Sequence, residues 1–255
     1  MTSLLIKNAR IVDGTAPEPS APTNVLIENG VIREVGRKAA AKGAEALDIG
    51  RRTLMPGLID CHVHVVSWTA NLGLNGAAPD ALVTVRALAI MNAMLMRGFT
   101  TVRDVGGATH ALRLAAAESG VATPRLSLSG KALSQTGGHC DFRGRWDDRP
   151  VIQTGFRLGA LGRICDGIDE VRRASREEIK GGADFIKIMA NGGVASPTDP
   201  IHFFGFSREE IIAIVEEARG AGTYVSAHLY TDEAIRRAVE CGVHSLEHCN
   251  LIRPE

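Results

Sequence analysis

The sequence predicts an α/β protein in which a small β-unit precedes a larger unit of alternating strands and helices. Residues 1–57 contain short β-type runs separated by turns. After Gly57, apolar strand-like runs alternate with segments of helical spacing about six times. Such alternation predicts βα units and a parallel sheet, as in a (β/α) barrel or a doubly wound sheet. We therefore predict two domains, a β-unit over 1–57 and a larger α/β domain over 58–255.

The first domain is built from three β-type runs, LLIKNARIV, NVLIENGVIREVG and EALDIGRRTLMPG. Asn29-Gly30 lies between two apolar runs, which is a strong signal for a β-hairpin. A proline-rich loop over 18–24 separates the first run from the second. Pro56-Gly57 ends this unit.

The second domain contains six predicted strands: LIDCHVHVV, FTTVRDV, RLSLSGK, DFIKIMA, TYVSAH and VHSLEHC. Helices are predicted over 80–97, 108–119, 169–180, 207–219 and 232–241. Gly98 ends the first helix, and Ser207 with Glu210 forms a capping box for the fourth. A long irregular stretch, rich in glycine and arginine, is predicted over 132–168.

Composition and charge exclude several classes of protein. The chain has 255 residues, with 29 basic and 29 acidic side chains and no net charge. This balance gives no electrostatic reason to expect a nucleic acid or a membrane surface as partner. No G-x-G-x-x-G or Walker sequence follows a strand. No apolar run reaches the roughly 18 residues of a membrane span, and five cysteines without a C-x-x-C pair suit reduced thiols. We expect a soluble, cytoplasmic protein.

Four histidines mark the ends of predicted strands. His62 and His64 are spaced i, i+2 at the end of the first strand, which places both on one face. His228 and His248 end the fifth and sixth strands. A single histidine at a strand end is usually structural, and H-x-H alone is a weak motif. Four of them at matching ends predict a site for zinc or a similar divalent metal.

Lys187 lies in the fourth predicted strand among alternating apolar residues. A free ammonium group there would be costly to bury, so its pKa would fall. A neutral amine can react with carbon dioxide to give a carbamate, an anionic oxygen ligand that can bridge two cations. The alternative is a lysine paired with a nearby carboxylate. Lys131, which ends the third strand, is the second candidate for the carbamate.

Several motifs together resemble the amidohydrolase superfamily, in its imidazolonepropionase-related, prolidase-like branch. These motifs are LMPGLIDCHVHV, GFTTVRDVGG, GGHCDFRG, FIKIMANGGVASPTDP, SAHLYT and SLEHC. The resemblance implies a (β/α)8-type TIM barrel beside a composite β-sandwich. It also implies two divalent metal ions, with zinc the expected metal. His62 and His64 would bind the first ion, carboxylated Lys187 would bridge, and His228 and His248 would bind the second.

The sequence departs from the family pattern at its C-terminal side. The family has eight barrel strands, and an aspartate at the end of the eighth binds metal and moves the proton of the attacking water. Only six βα units are predicted here. We therefore expect an incomplete barrel. The sequence is that of a truncated enzyme, of a chain completed by a second polypeptide, or of an inactive product.

The resemblance implies a hydrolase that cleaves amide bonds of small molecules with a metal-activated water. Xaa-Pro dipeptides, N-acyl amino acids and related amides, including ochratoxin-like ones, are the expected substrates. Lys187, His228 and His248 are the catalytic candidates. Tyr230 would polarise the substrate carbonyl and His139 would contact the substrate, unless they are a packing tyrosine and a solvated loop histidine. A homo-oligomer is compatible with the resemblance, and the alternative function is an inactive metal-binding or assembly module.

Three further groups have open roles. Arg103 and Asp104 pair with each other or support the metal ligands. Asn191-Gly192-Gly193 shapes the pocket with backbone N–H groups or is a plain turn. Arginines at 143, 145 and 149 bind a substrate carboxylate or, as we favour, form a solvated basic loop.

Overall fold

The fold is described from a computed structural model, which covers residues 3–150 and 156–254. The chain divides into two compact units, residues 1–57 and 58–255. Each unit has its own strands and its own buried apolar cluster. No helix in the described ranges is long and apolar enough to cross a membrane.

The first unit is a five-stranded sheet with the order β3-β2-β1-β4, in which β5 also pairs with β1. Its strands are β1 (Ser3–Ile11), β2 (Thr23–Glu28), β3 (Val31–Gly36), β4 (Glu45–Asp48) and β5 (Thr53–Leu54). Strands β2 and β3 pair antiparallel across Asn29-Gly30, which confirms the predicted hairpin. Ile6, Ala9 and Val25 form the centre of one apolar cluster in this unit.

The described part of the second unit contains eight strands, and every strand pairing found among them is parallel. They are β6 (Leu58–Val63), β7 (Phe99–Asp104), β8 (Arg125–Leu128), β9 (Ala132–Ser134), β10 (Gly162–Ile164), β11 (Ile186–Met189), β12 (Val225–Thr231) and β13 (Ser245–Leu251). The helices are α1 (Leu72–Ala77), α2 (Asp80–Met96), α3 (His110–Glu118), α4 (Ile168–Lys180), α5 (Arg208–Gly220) and α6 (Asp232–Glu240). The alternation confirms the predicted α/β class.

The described strands form two parallel sheets and do not close into one barrel. One sheet has the order β6-β7-β8 and the other β10-β9-β11-β12-β13. The third predicted strand, RLSLSGK, is shorter than expected: it ends as β8 at Leu128, and β9 begins only at Ala132, after Gly130, which adopts a φ of +69°. A side chain at Gly130 would also collide with Glu178. The sheet is therefore interrupted where the sequence pattern alone indicates one strand.

Most helix boundaries agree with the sequence prediction. Ser207 and Glu210 form both hydrogen bonds of the predicted capping box at the start of α5. Helix α1 was not predicted; the side chain of Asn71 caps it. The predicted irregular stretch over 132–168 contains the short strands β9 and β10, and its residues 151–155 lie outside the described ranges.

Alternation along the strands separates an apolar face from a polar face. Ile186 and Ile188 of β11 and Leu229 of β12 are fully buried in the cluster that also contains residues of α4, α5 and α6. Burying each such side chain stabilises the fold by roughly 1.5–3 kcal/mol. Lys187 and His228 lie between these apolar residues in sequence, so the strand repeat directs them to the opposite face. This face carries the candidate site.

Candidate metal centre

The polar face of the strands lines a pocket of about 260 Å³. The seven residues singled out from the sequence all line it: His62, His64, His139, Lys187, His228, Tyr230 and His248. The remaining wall is largely apolar and includes Leu72, Phe142, Leu161 and Val194. A wider depression of about 880 Å³ at the start of α4 and α5 is lined by carboxylates. We place the chemistry in the smaller pocket because the histidines and a buried lysine meet there.

The structure brings together the four histidines that lie in or directly after strands β6, β12 and β13. The ring centroid of His62 lies 5.5 Å from that of His64 and 4.5 Å from that of His248. The rings of His228 and His248 are 4.7 Å apart. Strands β12 and β13 continue to Thr231 and Leu251, so two of the histidines lie within strands and not at their ends.

Three of these histidines direct one ring nitrogen at a protein oxygen. Nδ1 of His62 is 2.8 Å from a carboxylate oxygen of Glu247, and Nδ1 of His64 is 2.8 Å from the carbonyl oxygen of Gly106. Nε2 of His228 lies 3.3 Å from the carbonyl oxygen of Gly192. Since such oxygens only accept hydrogen bonds, the contacting nitrogen carries the proton. The other nitrogen of each neutral ring then has a free lone pair, as metal-binding histidines require.

Burial favours the neutral form of three of the rings, those of His64, His228 and His248. Desolvation lowers the pKa of His64 and of His248 to about 4. It also lowers the pKa of His228 far below its usual range, with further effects from His139 and Lys187. A ligand that is already neutral binds a cation without first losing a proton.

Lys187 is the unusual member of the site. It is only 1% exposed, and its Nζ has no hydrogen-bond partner among the described residues. Desolvation lowers its pKa to about 8, although the charge of Glu247 opposes this change. The predicted alternative, a direct salt bridge to a carboxylate, is absent from the described ranges. The second carbamate candidate, Lys131, donates instead to four backbone carbonyls.

Strand β13 has an irregular backbone at the site. His248 and Cys249 adopt φ values of +69° and +54°, which are rare for residues with side chains. In a regular strand, neighbouring residues face opposite sides. Here Glu247 and His248 both contact His62. The left-handed backbone therefore supplies two adjacent side chains to one site, which a strict strand pattern does not predict.

Glu247 is a site residue that the sequence analysis missed. One carboxylate oxygen accepts from His62, and the other accepts from Arg103 at 2.5 Å and from Ser226 at 2.6 Å. Burial raises the pKa of Glu247. The hydrogen bonds from His62 and Ser226 and the nearby cations lower this pKa by more, so the net result is a pKa well below the usual range. The only sequence signal is an acidic residue beside a strand-end histidine.

Arg103 and Asp104 therefore do not pair with each other. Asp104 is fully buried and accepts backbone N–H bonds from Val65, Gly106 and Ala108. Burial raises the pKa of Asp104 to about 6, although these hydrogen bonds oppose the change. Because Val65 follows His64 and Gly106 accepts from it, Asp104 helps to fix the backbone around His64.

His139 and Tyr230 lie beside the metal-type histidines. The His139 ring stacks on His228 with centroids 4.2 Å apart, and its Nδ1 lies 2.7 Å from Ser196 Oγ and 3.6 Å from Asp199. Tyr230 has its ring 4.9 Å from that of His228 and 5.3 Å from that of His248. The His139 side chain is only 11% exposed, so it is not a solvated loop histidine. Both side chains line the pocket, and the ring contacts of Tyr230 are also compatible with the predicted alternative of a packing tyrosine.

The Asn191-Gly192-Gly193 segment shapes the pocket by close packing. Its N–H groups are used within the fold, since Gly192 donates to Phe203 and Gly193 to Asp199. The prediction that they would point into the pocket is therefore wrong. A side chain at Gly193 would overlap the His139 ring, so glycine is required there by close approach.

The basic loop is paired with its own carboxylates. Arg143 forms two hydrogen bonds to Asp141, and Arg149 forms two to Asp147. Arg145 is exposed. None of the three lines the pocket, so the favoured interpretation as a solvated loop agrees with the structure.

The residues present fit a divalent metal by their chemistry, although the histidines alone do not complete a site. Within 3–150 and 156–254, no group of three or more histidine, cysteine or carboxylate side chains is arranged to hold a metal ion. However, the four histidines line the same pocket as Lys187, whose buried amine has no partner among the described residues. Buried polar atoms are normally satisfied, so an orphaned amine points to a missing ligand or modification.

The chain is similar to several known proteins. The chain is 34% identical over 256 residues to ochratoxinase from Aspergillus niger, a match that covers 91% of this chain and 51% of that protein. A prolidase solved with N-methylphosphonate-L-proline is 50% identical with a TM-score of 0.95, covering 99% of this chain and 62% of the other. A Xaa-Pro dipeptidase solved with methionine is 28% identical with a TM-score of 0.84, covering 99% and 63%.

The chain thus spans about half the length of the curated relatives it matches and about three fifths of the solved ones. The sequence profile of the amidohydrolase family matches residues 53–253. This range includes the four histidines and the buried lysine of the pocket. The chain belongs to the amidohydrolase family.

Proposed function

We propose that this protein is a metal-dependent hydrolase of amide bonds in small peptide-like molecules. The observation that carries the proposal is the pocket itself, which the four histidines line together with Lys187, whose buried amine has no partner among the described residues. The family match and the ochratoxinase and prolidase relatives support hydrolysis as the reaction class. Xaa-Pro dipeptides and N-acyl amino acids are the proposed substrates.

The proposed cofactor is a pair of divalent ions, with zinc as the expected metal. His62 and His64 would hold one ion, and His228 and His248 the other. Lys187 would bridge them after its neutral amine adds carbon dioxide, which forms an N–C bond and releases one proton. When bound, a divalent ion of this kind supplies Lewis acidity and lowers the pKa of a bound water to about 7.

The residues of the chain would bind and orient the substrate. The Tyr230 hydroxyl would donate a hydrogen bond to the carbonyl oxygen of the scissile amide. The His139 ring, held by Ser196 and Asp199, would contact the same substrate. Phe142, Leu161 and Val194 would pack against its apolar part and exclude water.

We also propose that the second unit belongs to a (β/α)8-type TIM barrel. The solved relatives are longer than this chain, and the outer strands β6 and β13 expose apolar residues such as Ile59 and Leu251. Unpaired strand edges of this kind are normally covered or paired. Additional strands beside β6 and β13 would cover them.

Metal content is the first test. The chain is purified through size exclusion and its bound metal is measured by elemental mass spectrometry. We expect two divalent ions per chain in the wild type and a loss of metal in His248→Ala. His244→Ala is the matched control, because His244 precedes the same strand and lies outside the pocket. Wild-type protein without metal would contradict the proposed cofactor.

Hydrolysis is tested next on a panel of Xaa-Pro dipeptides and N-acyl amino acids. We expect metal-dependent release of the free amino acid, lost in His248→Ala and kept in His244→Ala. Full metal occupancy without hydrolysis of any member would contradict the enzymatic proposal. It would favour a metal-binding module.

A further inference from the structure

Glu247 joins three structural elements through one buried carboxylate. Its side chain is 6% exposed. Oε2 accepts from Nδ1 of His62 in β6, and Oε1 accepts from Arg103 in β7 and Ser226 in β12. Both oxygens are therefore used, and the His62 contact occupies one of them.

This arrangement determines which nitrogen of His62 carries the proton. A carboxylate can only accept, so the nitrogen that faces it must be Nδ1–H. In the neutral ring, Nε2 then has the lone pair. The contact thus selects the tautomer in which Nε2 of His62 is free to bind a cation, and it also limits rotation of the ring.

We propose that Glu247 is a positioning residue that fixes the tautomer and orientation of His62. Its effect on metal affinity rests on the proposed function, whereas its effect on the tautomer does not. The left-handed backbone at His248 allows Glu247 to reach His62 while His248 contacts the same ring. Strand β13 therefore places two adjacent side chains at the site, His248 and the carboxylate of Glu247 that orients His62.

A purely structural role is the competing explanation, in which Glu247 only ties β6, β7 and β12 together. The variant Glu247→Gln distinguishes the positioning role from the purely structural role. The amide has one accepting oxygen and one donating NH2 group. The cation of Arg103 makes the stronger hydrogen bond, so the oxygen turns toward Arg103. The NH2 group then faces His62, and Nδ1 must accept. The proton of His62 moves to Nε2, the nitrogen that would have to bind metal.

The tautomer is measured by long-range ¹H–¹⁵N NMR of the imidazole nitrogens in the metal-free chain. We expect His62 as the Nδ1–H form in the wild type and predominantly as the Nε2–H form in Glu247→Gln. The control is Glu217→Gln, since Glu217 is a partly buried carboxylate that pairs with Arg172 and Arg176 away from the pocket. An Nε2–H form in the wild type would overturn the proposal whether or not the variant folds.

Metal affinity is measured in parallel by Co²⁺ titration against a competing chelator. We expect Glu247→Gln to bind Co²⁺ about 10–100-fold more weakly than the wild type, with Glu217→Gln unchanged. Equal affinity in a folded Glu247→Gln, with circular dichroism like the wild type, would overturn the proposal. A wild type that binds no Co²⁺ would contradict the proposed function, and the NMR result would still decide the role of Glu247.

Discussion

Two buried lysines of the same domain differ in what surrounds the amine. Lys131 is 6% exposed and Lys187 is 1% exposed, and burial lowers the pKa of each to about 8. Nζ of Lys131 donates to the carbonyl oxygens of Gly107, Arg157, Leu158 and Ala160 at 2.5–3.3 Å. Nζ of Lys187 has no such partner in the described part of the chain.

The difference shows that two lysines with a similar degree of burial can differ in whether the amine has hydrogen-bond partners. The Lys131 amine donates to three carbonyls of the segment over 157–160 and so ties this segment to Gly107, which follows β7. Among the described residues, the Lys187 amine has no hydrogen-bond partner, and Lys187 lines the pocket together with the histidines. An unpaired buried cation costs free energy, and sites of function are where proteins tolerate such a cost.

Of the two lysine replacements, Lys187→Met should produce the larger loss of bound metal and of amidase activity. Lys187→Met keeps the volume of the side chain but cannot form a carbamate, so we expect loss of bound metal. Amidase activity should fall by about 1,000-fold, or about 4 kcal/mol in the activation free energy. Elemental analysis and dipeptide hydrolysis measure these effects, with the exposed Lys180→Met in α4 as the control. Full metal content in Lys187→Met would refute the bridging role.

Replacement of Lys131 should produce the larger effect on stability. Lys131→Met leaves several buried carbonyls without a donor, at about 1–3 kcal/mol for each unsatisfied group. The four carbonyls share the protons of a single amine, and the loop that carries three of them can relax. We therefore expect a total loss of about 3 kcal/mol in the free energy of unfolding. Lys187→Met should be neutral or stabilising by about 1–2 kcal/mol, since it removes an unpaired buried amine. Urea denaturation of both variants tests this, and equal losses would remove the distinction.

The sequence predicts the polar face of the site well because strand alternation is local. Lys187 and His228 lie between apolar neighbours that the period-2 pattern directs toward the helices. The hairpin at Asn29-Gly30 and the capping box at Ser207 are also local signals. In each case the residues that determine the structure lie within a few positions of one another.

What the sequence misses depends on contacts between distant residues. Nothing near Lys131 or Lys187 in sequence shows which amine meets four carbonyls, because three of those carbonyls belong to residues 157–160. Glu247 meets His62 over a separation of 185 residues. The left-handed backbone at His248 breaks the alternation on which a strand prediction depends. The division of the sheet at Gly130 is hidden for the same reason.

The last prediction concerns the influence of the Lys131 charge on the pKa of the buried Asp104, and its expected effect is a shift of that pKa. Burial raises the Asp104 pKa from 3.8 to about 6, and the Lys131 charge is among the influences that lower it. Between these two pH values the folded protein binds more protons than the unfolded chain at this group. Its contribution to stability therefore falls as pH rises from about 4 to 6, by about 3 kcal/mol in total.

Lys131→Met removes the cation, so the Asp104 carboxyl should titrate above pH 6 in this variant, whereas Lys187→Met should leave it nearly unchanged. The pKa is read from the ¹³C chemical shift of the Asp104 carboxyl during a pH titration. Asp104→Asn provides the second control, because it removes the titrating group and should flatten the stability curve between pH 4 and 6. If both lysine variants shift the Asp104 pKa equally, the two amines act on their surroundings only as distant charges. If only Lys131→Met shifts the Asp104 pKa, then Lys131 interacts with the buried carboxylate of β7 and Lys187 does not.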